Sequence, residues 1–336
     1  MSRADLAGAR GLVRRRLLVA TAAAGGLAVA PSLRAQAFPS RPVRMILGFP
    51  PGGSGDFIGR TLAEEASRSL GQQVIVENRP GAGGNLASEF VARAPADGLT
   101  LLLGGSFSHS VNPALFPRLP FDTQKDFAPI TKVAVLPTVF AVPASLPVDT
   151  LQDFIAWARR EGDRVSYGSS GIGSPGHIAG AYFNAVTGLK MTHVPYKGAG
   201  DTVRDLLAGQ LQLVITSPTS IMGFVKQGRA KALALTTPGR SRVVPGVPGS
   251  DEAGLKDFDI DGWYGLWTTG GSPPAAVAAL HAAFSQALKA PAIIEKLEAQ
   301  GATPEPSPST EQFAGFVREN ARQWKDIVVR SGATVQ

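Results

Sequence analysis

The chain contains no cysteine among its 336 residues, and it has only four histidines. Without cysteine there are no disulfides, no metal–thiolate centres and no thiol nucleophile. His109, His177, His193 and His281 do not have the spacing of a metal site. The sequence also lacks a G-x-S-x-G elbow, an S-x-x-K pair and a Walker phosphate loop. We therefore expect no metal, no organic cofactor and no enzymatic activity.

Positive charge is concentrated near the N-terminus. The formal net charge is +7, but the segment before Phe38 carries six arginines and one aspartate, which leaves about +2 for the rest. No Lys/Arg-rich stripe with interleaved aromatic residues remains after Phe38. Because nucleic-acid binding depends on such clusters, we expect no nucleic-acid partner.

The first 37 residues have the layout of a signal peptide. Three arginines, Arg14 to Arg16, precede an apolar stretch over 17–30, and Ala35 and Ala37 suit signal peptidase. The 14 apolar residues are too few for a hydrocarbon core, which needs about 20. We predict that residues 1–37 are a signal peptide cleaved near Ala37 and that the protein is periplasmic. The arginines are compatible with either the Sec or the twin-arginine export route.

Short apolar runs alternate with amphipathic stretches after Phe38. This alternation is typical of βα units. The first series begins with a strand over 43–47 and a helix capped by Asp56, and it includes a later helix capped by Asn85. A second series begins with a helix over 151–160 and a strand over 165–167.

Two apolar, β-rich segments lie between and after these series, over 133–142 and 263–267. We interpret them as crossover strands, which predicts an α/β fold of two lobes with a cleft between them. The first lobe would comprise residues 38–137 and 262–336, and the second lobe residues 138–261. In open α/β sheets the ligand lies outside the carboxyl ends of the strands, where this sequence places its Gly/Ser loops.

One of these loops, Gly171–Gly176, matches the G-x-G-x-x-G of dinucleotide-binding proteins. The acidic residue that binds the ribose should follow about 20 residues later, yet no acid occurs between Asp163 and Asp201. Lys197 could serve a 2′-phosphate, so an NADP-dependent enzyme stays open as an alternative. A hydrolase whose serine, histidine and aspartate meet only in space also stays open.

An anion site explains the same loop better. Ser169, Ser170 and Ser174 precede a predicted helix start, whose N–H groups carry partial positive charge and bind carboxylates without a charged side chain. The loop over 49–55 offers the same arrangement in the first lobe, with glycines that let a ligand approach the backbone. His177, in the first turn of that helix, is either a ligand contact or a packing residue.

Several strings occur in the order of one known family. They are residues 49–56, the string VENRPGAGGN over 76–85, and residues 96–102, 112–115, 125–129, 167–177 and 193–198. On these strings the chain resembles the Bug family, the extracytoplasmic binding receptors of tripartite tricarboxylate transporters. The resemblance covers nearly the whole chain after residue 37.

The resemblance implies a two-lobed periplasmic binding protein, a Venus flytrap of the class II type. It implies capture of a small organic acid for the integral membrane subunits of such a transporter, or alternatively for a periplasmic sensor domain. The carboxylate would be held through backbone amides, hydroxyls and ordered waters. The expected ligand-binding residues are Phe49, Pro50, Gly52, Gly53, Ser54, Asp56, Ser106, Ser108, Ser169, Ser170, Gly171, Ser174, His177 and Ser217.

Three positions depart from the pattern of the family. Gln212 and Thr216 stand where acids are common, and Phe107 stands where a small residue is common. An aromatic side chain at position 107 would either stack on a ring of the ligand or narrow the cleft. Ligand identity therefore does not follow from the resemblance.

Overall fold

The computed structural model describes residues 38–49, 51–116, 118–172 and 174–332, so the predicted signal peptide and Pro50 lie outside the described residues. The strands are β1 Val43–Leu47, β2 Val74–Asn78, β3 Thr100–Gly105, β4 Phe127–Leu136, β5 Val139–Pro143, β6 Ser166–Ser169, β7 Thr192–Pro195, β8 Leu213–Thr216, β9 Ala230–Leu235, β10 Gly262–Thr269 and β11 Thr303–Pro304. The helices are α1 Ser54–Leu70, α2 Asn85–Ala92, α3 Asn112–Leu115, α4 Leu151–Glu161, α5 Pro175–Thr187, α6 Ala199–Leu207, α7 Pro218–Lys226, α8 Pro274–Ala287, α9 Pro291–Ala299 and α10 Thr310–Ser331.

The described strands form two sheets. The first sheet has the order β11-β4-β10-β3-β1-β2, and the second has the order β7-β6-β8-β5-β9. In the first sheet β1 runs parallel to β2 and β3, while β10 runs antiparallel to β3 and β4. In the second sheet β6 runs parallel to β7 and β8, while β5 runs antiparallel to β8 and β9. Each sheet thus combines parallel βα units with antiparallel strands.

Both sheets are covered on both faces, because alternate residues of a strand point to opposite sides. Met45 and Leu47 of β1 pack with α1, α8 and α9, whereas Ile46 packs with α2 and the tryptophans of β10. In β5, Phe140 and Val142 pack into one core of the second sheet, and the alternate residues pack into another. Each near-continuous apolar run therefore contributes side chains to two cores, one on each face of its sheet.

The chain passes between the sheets twice. It leaves the first sheet at Leu136 and enters the second at Val139, and it returns between Leu235 and Gly262. The apolar stretch over 133–142 is thus two strands with a break at Pro137, which has no N–H to offer a sheet. The segment over 263–267 lies within β10, in the interior of the first sheet.

The last helix, α10, contributes to cores of both sheets. Its first half places Phe313 and Val317 against the tryptophans of β10. Its second half places Trp324, Ile327 and Val328 in the core that contains Phe140. Asn320 lies between these halves and accepts a hydrogen bond from the Trp263 indole at 2.8 Å.

Two predicted helix caps are wrong. Asp56 is the third residue of α1, because Gly53 takes the extended conformation of the N-cap (φ −83°, ψ 171°). Asn85 is the first residue of α2, and the cap position is held by Gly84 at a φ of +90°. In both cases glycine occupies the cap position, where a short polar side chain was expected.

In the described part of the chain, no single helix combines the length and apolar character needed to cross a membrane; α8 and α9 meet that test only as a pair bent by 73°.

Candidate functional site

The first loop, residues 48–53, connects β1 to α1. Its helix begins without a hydrogen bond from a capping side chain, so the first N–H groups of α1 are left for another acceptor. Phe49, Gly53 and Ser54 are half-buried, and Gly52 is exposed with a φ of +82°, which favours glycine. The loop therefore presents backbone groups next to the start of α1, a helix of 17 residues.

Asp56 shapes this loop from within. Its carboxylate accepts hydrogen bonds from the Gly52 N–H at 3.0 Å, from Arg60 Nε at 3.0 Å and from Asn78 Nδ2 at 2.9 Å. The bond from Arg60 contributes most to a pKa of about 2 for Asp56, and burial acts in the opposite direction. The carboxylate is thus ionised and fully partnered, and it does not need a group from a ligand.

The turn that follows β3, residues 105–111, is called the third turn. Gly105 ends the strand, and a Cβ there would lie 2.0 Å from the Trp263 carbonyl oxygen, so only glycine fits. The chain then enters a π-type turn over Phe107–Val111. Ser106 and Ser108 are buried, and Ser108 Oγ accepts the Gly105 N–H at 3.1 Å and bonds His109 Nδ1 at 2.9 Å. Both serines thus support the turn from inside.

His109 itself is a core residue. Its ring stacks on Trp267 with centroids 3.8 Å apart, and burial lowers its pKa to about 3. It is therefore neutral at physiological pH.

The first loop and the third turn line a pocket together with Gly83, Gly84 and Ser88, which were not among the predicted site residues. The pocket is lined by Gly48, Phe49, Gly83, Gly84, Ser88, Leu102, Leu103, Gly104, Phe107 and Ser108. Gly83 and Gly84 belong here because the two loops touch through backbone: a Cβ on Gly48 would lie 2.8 Å from the Gly84 Cα. The glycines at positions 81, 83 and 84 of the string VENRPGAGGN are the sequence feature that could have indicated this part of the pocket.

The second loop, residues 169–174, connects β6 to α5. Ser169 is buried, and its Oγ bonds His193 Nε2 at 2.7 Å and accepts the Gly171 N–H at 3.2 Å. Ser170 is exposed, and Gly171 has a φ of +129°. Ser174 caps α5 by accepting the His177 N–H at 3.3 Å. Unlike the first loop, this one is held by neutral groups.

Two histidines lie against the second loop. The His193 ring is stacked between His177, with centroids 4.3 Å apart, and Tyr167, with centroids 4.9 Å apart. Burial lowers the pKa of both histidines, that of His193 to about 4. Both rings are therefore neutral at pH 7, and the loop carries no formal charge.

Ser217 follows β8, which is the parallel neighbour of β6. It is the N-cap residue of α7, but its Oγ bonds Ser220 Oγ at 2.8 Å instead of a helix N–H. The next residue, Pro218, lies beside Gly301 of the chain leading into β11. This contact brings α7 of the second sheet against the first sheet.

Phe107 links the pocket to the second sheet. Its ring lines the pocket with Phe49, and it also packs against the core that contains Ile178 and Ala179 of α5. The pocket therefore lies where the two halves of the fold meet. Of the predicted residues, Phe49 and Ser108 line it, while Ser169, Ser174 and His177 form a second cluster at the start of α5.

A larger and more open cavity of about 590 Å³ lies elsewhere in the first sheet, beside α2. Its arginines are largely engaged by carboxylates: Arg44 bonds Glu77 at 2.6 Å, and Arg93 pairs with Glu89 at 2.7 Å. None of the predicted site residues lines it. We therefore place the candidate site at the narrower pocket, which adjoins a helix start.

No group of three or more His, Asp or Glu side chains among the described residues could hold a metal ion. The last glycine of the G-x-G-x-x-G match, Gly176, has a packing explanation. A Cβ on Gly176 would lie 2.2 Å from the Ile215 carbonyl oxygen, so glycine is required where α5 crosses β8.

Comparison with known families decides what kind of protein this is. The model of the tripartite tricarboxylate transporter family receptor matches residues 58–333. The chain belongs to this receptor family. Protein BugT of Bordetella pertussis is 33% identical over 309 residues, covering 92% of this chain and 94% of BugT. The resemblance to the Bug family is therefore confirmed.

Solved structures of similar proteins support the same conclusion. Rpa4515 of R. palustris, solved with adipate, is 30% identical with a TM-score of 0.79, over 88% of this chain and 99% of its own. MatC of Rhodopseudomonas palustris, solved with bound malate, is 32% identical with a TM-score of 0.75, and the match covers 87% of this chain and 100% of MatC. The periplasmic binding protein BugD is 30% identical with a TM-score of 0.77, and the match covers 89% of this chain and 100% of BugD.

These findings confirm the predicted fold, a two-lobed periplasmic binding protein of α/β class. The receptor family and its structural neighbours are solute-binding proteins. The protein is therefore a solute-binding receptor and not an enzyme. The NADP-dependent and hydrolytic alternatives are not retained.

Proposed function

We propose that this receptor binds a small organic acid between two lobes, with a carboxylate held by backbone N–H groups at the starts of α1 and α5. The lobes would comprise residues 38–137 with 262–336, and residues 138–261. Gly52, Gly53, Ser54 and residues 169–174 would contact the acid. The observation that carries this proposal is the start of α1, which has no side-chain cap and whose neighbouring Asp56 is already fully partnered.

The proposal extends to location and partner. The Arg-rich, apolar leader over 1–37 supports export to the periplasm, where the mature receptor would deliver its ligand to the integral membrane subunits of a tripartite tricarboxylate transporter. The family match and the adipate and malate of two structural neighbours support this role. Deletion of the gene should abolish uptake of the radiolabelled acid by whole cells. Unchanged uptake would assign the receptor to a sensor instead.

Binding is tested by thermal denaturation of the mature protein against adipate, malate, succinate, benzoate and NADP. At 100 times its dissociation constant, a ligand adds about 2.7 kcal/mol to the free energy of unfolding. We expect an increase in Tm with at least one of the acids and none with NADP. An increase with NADP alone, or with no compound, contradicts the proposal.

The position of the carboxylate is tested with Ser174→Glu. The new carboxylate would occupy the anion site in the second loop and repel the ligand, so isothermal titration should detect no binding. Ser174 is only half-buried, so the Tm of the free protein should fall only by the cost of the lost helix cap, about 2 °C. The matched control is Ser309→Glu at the N-cap of α10, which should leave the affinity unchanged. Unaltered affinity in Ser174→Glu would remove the second loop from the site.

A further inference from the structure

The pocket between the first loop and the third turn has an unusual lining for a receptor of organic acids. None of its ten lining residues is ionisable, and its walls are two phenylalanine rings, two leucines and four glycines. The Phe49 ring is fixed edge-on against Tyr264, with centroids 5.2 Å apart. Phe107 forms the opposing wall, supported from behind by the second-sheet core.

The two hydroxyl groups of the pocket are already engaged. Ser88 Oγ donates to the Gly84 carbonyl at 3.2 Å, and Ser108 Oγ accepts the Gly105 N–H and bonds His109. A ligand hydroxyl that entered here would lose its water without gaining a side-chain partner, and such a loss weakens binding. A CH₂ group has no such loss and gains from burial.

The pocket is also narrow. The free space between its walls is about 10 Å³, whereas one water molecule needs about 10–15 Å³ by a similar measure. An organic acid therefore enters only when the walls separate, and the wall formed by Phe107 decides how wide the pocket becomes. Phe107 is half-buried and packs against the core that contains Phe140 and Trp324, so the position of its ring depends on how the two halves of the fold pack together.

We propose that this pocket receives the hydrocarbon part of the ligand and that Phe107 makes the receptor select carboxylates with an apolar, unbranched or flat body over hydroxylated acids. This inference rests on the proposed function, because it assumes that the carboxylate is held at the adjacent helix starts. It adds a specificity-determining residue and a chemical class of ligand. The polar end of the ligand faces the loops, and the apolar end faces Phe49 and Phe107.

The test is isothermal titration of the mature protein with succinate, malate and adipate. Malate differs from succinate by one hydroxyl, and adipate differs by two CH₂ groups. We expect malate to bind about tenfold more weakly than succinate. Adipate should bind more tightly than succinate, by up to about fourfold for each CH₂.

Phe107→Ala tests the assigned residue. We expect it to weaken adipate at least tenfold and to leave malate within about twofold, so that selectivity is lost. Phe107→Leu keeps an apolar wall and should retain most of the preference, which guards against a fold defect in the alanine variant. The matched control is Phe90→Ala, a partly buried phenylalanine of α2 that lines the other cavity. Its affinities should equal those of the wild type.

Several outcomes overturn the inference. Malate binding as tightly as succinate would show that the pocket accepts a hydroxyl. Equal weakening of all three acids by Phe107→Ala would assign that residue a structural role only. A wild-type protein that binds none of these acids, nor any other carboxylate, overturns the proposed function itself, whereas binding without selectivity overturns only this inference.

Discussion

The first and second loops do the same structural task with opposite chemistry. Each leads from a parallel strand to a helix start, but the first is held by an ionised carboxylate and the second by hydroxyls and neutral imidazoles. Asp56 is paired with Arg60, so the first loop gains rigidity without adding net charge. The second loop avoids formal charge altogether. If both loops hold the carboxylate as proposed, Asp56 would not repel it, because its charge is already paired with Arg60.

The largest effect is expected where the second loop meets β8. In Gly176→Ala the new Cβ would lie 2.2 Å from a backbone carbonyl that has no room to retreat. We expect a loss of about 3 kcal/mol in the free energy of unfolding, together with loss of ligand binding, measured by urea denaturation and titration.

The matched control is Gly223→Ala, in the exposed interior of α7 with no atom within 4 Å of the added Cβ. It should raise stability by about 0.5–1 kcal/mol. Equal stability of the two variants would contradict the packing argument.

Asp56→Asn tests the ionic support of the first loop. The substitution removes the charge that holds Arg60 and weakens the bond from the Gly52 N–H. Because Arg60 is half-exposed and regains water, we expect a loss of about 2 kcal/mol in the free energy of unfolding and at least a tenfold weaker affinity.

Asp163→Asn, at an exposed aspartate in the turn after α4, is its control and should change neither quantity by a measurable amount. A neutral outcome in Asp56→Asn would mean that the first loop keeps its shape without the carboxylate.

Ser174→Ala and Ser309→Ala distinguish an effect on the free energy of unfolding from an effect on ligand affinity. Each serine caps a helix by accepting an N–H, at 3.3 Å in α5 and at 3.2 Å in α10. Both variants should lose about 1 kcal/mol in the free energy of unfolding. Only Ser174→Ala should weaken the ligand, because only that cap lies in a binding loop. A similar loss of affinity in both variants would indicate a global effect.

Acid should weaken the second loop before the first. The pKa of His193 is about 4 in the folded protein, against 6.5 normally, so the unfolded chain binds more protons as the pH falls below 6.5 and the folded state loses stability. The pKa of Asp56 is lowered from 3.8 to about 2, so its contribution is lost only below about pH 4.

Between pH 7 and pH 6 we expect His193 to contribute a loss of about 0.7 kcal/mol, or about 2 °C in Tm, in addition to the losses from His109 and His177, whose pKa values are also lowered. His193→Asn should therefore reduce this slope without abolishing it, and Asp56→Asn should leave it unchanged. The same slope in His193→Asn and in the wild type would contradict the assignment.

Much of the fold followed from local pattern. Apolar runs and Gly/Ser loops predicted both βα series, and the bounds of β1 agree with the predicted 43–47. The errors arose where tertiary contacts decide. At the cap of α2, Gly84 has a φ of +90°, which favours glycine, and it lies against Gly48, where an added Cβ would be only 2.8 Å from the Gly84 Cα. No pattern in the sequence reports such an approach.

The candidate site was less predictable than the fold. Local reasoning marked the serines as ligand contacts, yet Ser106, Ser108 and Ser169 are buried, and the hydroxyls of Ser108 and Ser169 bond within the protein. Whether a hydroxyl points inward depends on partners distant in sequence, such as His193 for Ser169. The π-type turn that positions Phe107 was also not predicted, since it depends on the packing of His109 against Trp267.

The final helix has a consequence for how the protein is made. Phe313 and Val317 complete one core, and Trp324, Ile327 and Val328 complete another. The first core is complete only when the chain has been synthesised through residue 317, and the second only when it has been synthesised through residue 328, so both are completed late in translation. A chain that finishes folding late is well suited to threading through a narrow translocation channel.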